Sequence, residues 1–288
     1  MLNKNILAEI EAGYKNYSKG HKKIASFIVN QYDKAAFMTA SKLGQEVGVS
    51  ESTVVRFANA LGYEGYPELQ EALGEIIKNK LTSLQRMEIA YDKMANEDIL
   101  SKVMNSDISK MRSTLENIDK KVFDDAVEKI LNAKKIYILG VRSASAVSSF
   151  LGFYFNLLFT DVRLVHTTSV SEMFEQILRV DENDVVIGVS FPRYSRRTIK
   201  ALEYAKLKGA TVISITDTEV SPLVPCSDIS LFAKTDMVSF VDSLVAPLSV
   251  VNALIVAIGM RKKQEITQTL NDLENIWAEY NVYNQESE

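Results

Sequence analysis

Between Thr39 and Gly62 the chain reads TASKLGQEVGVSESTVVRFANALG, and the offsets inside this stretch leave few folds open. Leu43 and Val47 stand four residues apart and share one helical face. Gly48 follows where a chain leaving one helix for the next needs a positive φ, and Gly44 is small where two helices must approach. Val49 supplies an apolar plug in the turn. Ser50 suits the N-cap of a second helix, and Glu51 lies favourably at its positive end. Val54, Phe57, Ala58 and Leu61 recur at i, i+3, i+4 and i+7, which predicts the buried face. The opposite face offers Ser52, Thr53, Val55, Arg56 and Asn59. Short hydrogen-bonding side chains with one guanidinium suit a helix laid in the major groove, so Ser50, Ser52, Thr53, Arg56 and Asn59 are the candidate DNA contacts. A helical hairpin used only for packing is the competing reading. A lone glycine turn would not separate the two, but all the offsets met together favour a DNA reader.

Charge gives this reading little help. The formal net charge is −4, and residues 1–80 hold ten Lys/Arg against nine Asp/Glu, the remainder 23 against 28. No broad basic field draws in nucleic acid, so the motif must carry the case. The single cysteine, Cys226, excludes an internal disulfide and any multi-cysteine metal site, and no His/Cys cluster has ligand spacing. No metal and no cofactor are expected. Glu9 and Glu11 with no long apolar run argue against a signal peptide, so a cytoplasmic protein is expected. Ser243 to Met260 lacks charge for eighteen residues, the lower limit for a membrane span. Ser243, Pro247, Ser249 and Asn252 interrupt it, and a buried core helix is the expectation.

At 288 residues two domains are expected. Residues 1–77 read as short helices, with Ile24, Phe27 and Ile28 on one buried stripe. Residues 78–110 read as a helical linker, polar and free of Gly and Pro from Lys78 to Glu97. Its last part opens an amphipathic segment whose candidate apolar positions are Ile99, Val103, Ile108, Met111 and Leu115. From 111 to 288 the texture changes: β-branched runs at Ile136–Leu139, Val162–Val165, Val185–Val189, Val212–Ile215 and Ile229–Phe232 alternate with helical stretches. That alternation predicts an α/β domain, a parallel sheet with helices on both faces.

The stretch from Ser18 to Leu73, above all VSESTVVRFANALGYEGYPEL, resembles the N-terminal domain of RpiR-type transcription regulators. The resemblance implies a recognition helix at Ser50–Leu61 and a homodimer or homotetramer bound to palindrome-like, double-stranded operator DNA.

Two loops of the second half suggest an anion site. LGVRSAS, from Leu139 to Ser145, leads from a strand into a helix, and VSFPRYSRRT, from Val189 to Thr198, does so again. Amides and hydroxyls at a helix start suit an anion, and strand carboxyl ends are where open α/β sheets bind ligands. Arg142, Ser143 and Ser145 are candidates in the first loop, and Ser190, Arg193 and Ser195 in the second. Arg196 and Arg197 are expected at the surface. Capped helix starts with solvated charges are the alternative for either loop alone; two together tilt towards a site.

From Val122 to about Trp277 the chain resembles a SIS domain, through KKIYILGVRSASAV, DVVIGVSFPRYSRRTIKALEYAKLKGATVISITD and SPLVPCSDISLF. The resemblance implies that a small phosphorylated sugar, or a similar anionic effector, is held by hydroxyls of both loops. Ser143 matches in the first loop, with Ser145 close by. In the second, the family's S-x-S-G-x-T is S-F-P-R-Y-S here: Ser190 matches the first serine and Ser195 the threonine, while Pro192 and Arg193 replace the inner serine and the glycine. A phosphosugar held partly by Arg193 and a different anionic metabolite both fit that change.

Three functions follow. A ligand-responsive DNA-binding regulator absorbs every motif. A sugar-phosphate isomerase with an accessory DNA domain would need an acid–base pair. His166, Glu172 and Glu175 are its only candidates, with no constellation among them, so no catalytic residues are expected. A purely architectural DNA-binding protein leaves both anion loops unexplained. Asp242, before the uncharged stretch, reads as that helix's cap or as a sugar-hydroxyl acceptor. Leu270, Leu273, Trp277 and Tyr280 form a C-terminal stripe for packing within the chain or against a second copy, and Cys226 reads as a small apolar filler.

Overall fold

A computed structural model describes residues 6–80, 87, 98–167, 169–235 and 241–283. The chain divides into two compact units, Met1–Ile89 and Ala90–Glu288. Nearly half of the predicted linker, residues 81–86 and 88–97, lies outside the described residues.

The first unit is helical: α1 (Ile6–Gly13), α2 (Lys19–Asn30), α3 (Tyr32–Ala35), α4 (Ala40–Val47), α5 (Glu51–Ala60) and α6 (Tyr66–Lys80). Side-chain caps start three of them. Ser18 accepts from the His21 amide, Thr39 from Lys42 and Ser50 from Thr53, each satisfying a donor the helix leaves open. Ile10, Ile24, Ile28, Leu43, Phe57, Leu69 and Leu73 have no exposed surface and form the core. Tyr66 ties α6 to the end of α3: its hydroxyl donates to the Ala35 and Met38 carbonyls, both at 3.0 Å. Tyr66→Phe should therefore destabilise this unit by about 1–3 kcal/mol, read from denaturant unfolding of the full chain. Burial raises the Tyr66 pKa from 10.0 to about 12. The unfolded chain ionises first, so this stabilisation is complete below pH 10 and is lost as pH rises towards 12. A wild-type and a Tyr66→Phe chain with equal stability at pH 8 would show that the two bonds contribute nothing.

The second unit opens with α7 (Ile99–Asn117) and α8 (Lys120–Leu131), capped by Asp98 and Asp119. Strands and helices then alternate: β1 (Ile136–Gly140), α9 (Ala144–Leu158), β2 (Val162–Val165), α10 (Val170–Ile177), β3 (Val185–Val189), α11 (Arg196–Leu207), β4 (Thr211–Thr216) and β5 (Ile229–Phe232). Two helices close the chain, α12 (Val245–Arg261) and α13 (Lys263–Glu279). The sheet is wholly parallel in the order β2-β1-β3-β4-β5. Alternate strand residues feed two cores, as a period of two demands. Ile136, Ile138, Val185, Ile187 and Ile213 pack under α8, α9 and α12; Tyr137, Leu139, Val186 and Val212 pack under α10 and α11.

The uncharged stretch is a core helix: Ala246, Pro247, Val250, Val251, Leu254, Ile255 and Ile258 of α12 are buried. Among the described residues no single helix is long and apolar enough to cross a membrane. Two readings of the sequence need correction. The stripe on α7 faces the wrong way, for Ile99, Val103, Ile108, Met111 and Leu115 are exposed while Lys110 and Thr114 are buried. The helical period found the stripe but not the side that meets the body. Asp242 does not cap α12; the Ser243 hydroxyl stands 3.5 Å from the Val245 amide and donates to Asp107 at 2.6 Å. The C-terminal stripe, open between packing within the chain and against a second copy, has no buried residue on α13, although Ile266 at the start of the helix packs against the core.

Candidate functional site

The predicted DNA face is built as its offsets require. Gly48 adopts φ +67, a left-handed turn open to glycine at no steric cost. At Gly44 a Cβ would lie 2.8 Å from the Val49 carbonyl oxygen, so the two helices touch backbone to backbone. Val54, Phe57 and Ala58 are buried, leaving Ser52, Arg56 and Asn59 exposed and Thr53 partly so. The Ser50 hydroxyl lies 2.9 Å from that of Ser52 and 2.8 Å from that of Thr53. Arg56 folds back on its own helix, its Nε donating to Ser52 O at 3.2 Å and its Nη2 to Thr53 Oγ1 at 3.4 Å. Asn59 sits at the other end; with its amide turned to donate, it reaches the Tyr63 and Glu64 carbonyls at 3.2 and 3.3 Å. Ser52, Thr53 and Arg56 thus form one exposed cluster, while Ser50 and Asn59 also serve the two ends of the helix.

One feature escaped the sequence reading. Lys19, Lys22 and Lys23 line a groove on α2 beside Glu46 and Val47, and the Lys23 ammonium donates to the Gly48 carbonyl at 3.4 Å. A Cβ on Gly20 would come within 3.2 Å of Thr53 Cγ2, so these lysines flank the first turn of α5. Three lysines with no acid in α2 were legible; their place beside the turn was not.

In the second unit β1 and β3 are neighbours, although β2 comes between them in sequence. The two strands are parallel, but the order in which strands are added to the sheet reverses here, from outward through β2 to outward through β3, and such a switch point opens a crevice at the strand carboxyl ends. Gly140 and Val189 face each other in register there, so the loops 141–143 and 190–195 leave the sheet side by side. Gly140 has no room for a side chain: a Cβ would collide with the Ser148 hydroxyl and lie 2.8 Å from the Ala144 carbonyl. That closeness seats the start of α9 directly on the strand end.

Arg142 takes a left-handed φ of +59, a conformation costing a non-glycine residue roughly 1–3 kcal/mol. Ser145 pins it, donating to the Arg142 carbonyl from its hydroxyl at 2.6 Å and from its amide at 3.0 Å. Ser143 is exposed, and α9 has no side-chain cap. In the second loop the Ser190 hydroxyl, buried, accepts from the Ser195 amide at 3.0 Å, and Ser195 caps α11 through the Thr198 amide at 3.3 Å. Arg193 is exposed, as are Arg196 and Arg197.

Behind the second loop lies a pair that the sequence reading missed. Tyr194 donates to Asp217 at 2.7 Å, and Asp217, at the end of β4, is buried. Burial first, and then the adjacent carboxylate, raise the Tyr194 pKa far above its usual 10.0, so it stays protonated and holds the loop against the sheet. An aspartate just past a strand was the available signal; its partner lies 23 residues away.

Two of the three isomerase candidates make local hydrogen bonds. His166 is exposed; its Nε2 lies 3.2 Å from the Ser149 hydroxyl, and its backbone is gripped on both sides by the Gln176 amide. Glu172 accepts from the Thr167 hydroxyl. Cys226 is buried, which raises its thiol pKa. The described residues include no group of three or more His, Cys, Asp or Glu able to hold a metal ion.

Residues 4–80 match the model of the helix-turn-helix domain of the rpiR family, and residues 129–257 match the SIS domain. The chain is 26% identical to the HTH-type transcriptional regulator HexR of Pseudomonas aeruginosa, over 90% of each chain. It is also 26% identical to an uncharacterized HTH-type transcriptional regulator of Clostridium perfringens, over 78% of this chain and 80% of that one. Among solved structures, the sugar isomerase domain of an RpiR transcription factor from Sphaerobacter thermophilus aligns with TM-score 0.58 and 29% identity, covering 62% of this chain and 99% of that one. The Vibrio vulnificus NanR protein, solved with ManNAc-6P, shares the fold over 94% of this chain and 99% of its own, at TM-score 0.58 and 22% identity.

Proposed function

This chain belongs to the RpiR family and is a DNA-binding transcriptional regulator with a SIS domain, and from that premise we propose that a phosphorylated sugar or related anion, bound at the β1/β3 switch point, sets its operator affinity. The observation that carries the proposal is the register of Gly140 with Val189, which brings two serine- and arginine-bearing loops to one crevice. Ser143, Ser195, Arg142 and Arg193 are the ligand contacts proposed; Ser145 and Ser190 hold the two loops in shape. The protein acts as a receptor without turnover, since His166 and Glu172 are occupied by neighbours. It works in the cytoplasm as a homodimer or homotetramer, without a membrane. The test is a panel of aldose and ketose phosphates, read by melting temperature and by recovery of the ligand. A ligand binding only the folded chain raises the melting point by mass action and should be recovered unchanged. No shift with any member, or an isomerised product, would replace this reading.

On the DNA side, Ser52, Thr53 and Arg56 are proposed to read base edges and Lys19, Lys22 and Lys23 to hold phosphates. Arg56→Ala should cost about 1–3 kcal/mol and relax specificity at one position of each half-site. Lys22→Ala should weaken all sequences alike and reduce the slope of log K against log salt by about one. Affinities over a salt series, on an operator selected from a random library and on its point variants, separate these roles. Uniform weakening by Arg56→Ala would make it a phosphate contact instead.

A further inference from the structure

Helix α7 is built inside out. Its buried positions are Lys110, 3% exposed, and Thr114, whereas Leu115 is 71% exposed and Ile99, Met104 and Ile108 are more than half exposed. The inner face is polar for identifiable reasons: Asp107 pairs with Lys110 at 3.3 Å and accepts from Ser243, while Thr114 accepts from the Lys234 amide at 2.9 Å. Where the C-terminal half of α7 meets α8 and α12, an apolar groove of about 480 Å³ opens, walled by Met111, Leu115, Ile118, Phe123, Val250 and Ala253. Among the described residues Arg112 and Lys120 are its only charged lining.

The same chain carries a helix that needs such a groove. Ile266, at the start of α13, packs against its own core, but beyond it Leu270, Leu273 and Trp277 recur down one face, continued by Tyr280 at the C-cap; none of these is buried, and Leu270 and Tyr280 are exposed. An isolated helix of this length is marginal in water without a packed face. Its charges complement the groove: Lys263 stands against Glu265, Asp272, Glu274 and Glu279.

The helix does not serve its own groove. It leaves α12 after the single residue Lys262, at 99°, and the groove lies at the far, N-terminal half of α12. Doubling back beside α12 would take a connection of about 2–5 residues. We propose that α13 of one copy docks in the α7–α8–α12 groove of a second copy, and reciprocally, so that an exchange of C-terminal arms joins the dimer. This inference is independent of the effector assigned above.

The test mixes two full-length chains, both Cys226→Ala, one carrying Leu115→Cys and the other Leu270→Cys. Mild oxidation should yield a mixed disulfide dimer. In sedimentation, wild type should be dimeric at micromolar concentration, and Leu115→Glu and Leu270→Glu should each weaken dimerisation at least tenfold. Both substitutions fall on exposed positions, so circular dichroism and melting of the monomer should show a folded chain. Arg112→Glu with Lys120→Glu should also weaken the dimer, and Asp272→Lys with Glu279→Lys should restore it. A monomeric wild type, crosslinks only between two Leu115→Cys chains, or a Leu270→Glu dimer as tight as wild type would each overturn the arm exchange.

Discussion

Gly44→Ala should weaken operator binding by roughly a hundredfold or more while leaving the second unit intact. The added Cβ would sit 2.8 Å from the Val49 carbonyl and 3.3 Å from the Glu51 amide, and both are backbone atoms that cannot turn aside. The two helices must part, at a cost of about 1–3 kcal/mol in stability. The larger effect falls on binding. Ser52, Thr53 and Arg56 lie on the helix that would be displaced, and each good base contact is worth about 1–3 kcal/mol. Losing two of them lowers affinity by roughly a hundredfold or more. Fluorescence anisotropy with a selected operator measures it, and Gly74→Ala is the control, because a Cβ there meets nothing within 4 Å. Wild-type affinity in Gly44→Ala would mean that α4 and α5 do not act as a rigid reading pair.

Ser143→Ala with Ser195→Ala should erase the response of DNA binding to the effector. Ser143 makes no cap hydrogen bond, so its loss should affect the ligand alone. Ser195 also caps α11, and its replacement costs about 1 kcal/mol of stability as well. Coupling between two sites is reciprocal and typically worth ~1–3 kcal/mol, so wild-type operator affinity should change about five- to 150-fold with effector. Operator should change effector affinity by the same factor. In the double variant the effector should have no influence, while operator binding without effector stays near wild type. An effector that binds wild type and leaves its operator affinity unchanged would show that the second unit serves assembly and not sensing.

The parts that were legible in the sequence are those set by near neighbours. The turn at Gly48, the cap at Ser50 and the buried Val54, Phe57 and Ala58 depend on offsets of a few residues, and all appear as read. The strand runs were legible because β-branched residues cluster and are bounded by turn residues, and β2, β3 and β5 fall within their predicted limits. What escaped depends on distant partners. Periodicity finds the stripe on α7 but carries no sign for inside or outside; that sign came from Asp107, Ser243 and Lys234. Tyr194 and Asp217 look like unrelated residues until β3 and β4 lie side by side. The order of strands, which makes the two loops neighbours, is likewise a property of the closed sheet.

The placement of α12 has a consequence for biosynthesis. The reading unit closes its core by Leu73, before the second unit is made. The sheet face over Ile136, Ile138, Val185 and Ile187 is covered partly by α12, which contributes Val251, Leu254 and Ile258 to that core. More than a hundred residues therefore leave the ribosome between the first strand and the helix that seals it. During that interval a broad apolar face stands open to solvent, the condition in which large domains aggregate or recruit chaperones. Non-local closure of this kind is also slow. The helix-turn-helix unit is thus complete before the SIS unit can close, and ribosome-stalled chains ending at residue 244 should be held by chaperones while chains ending at 80 are not.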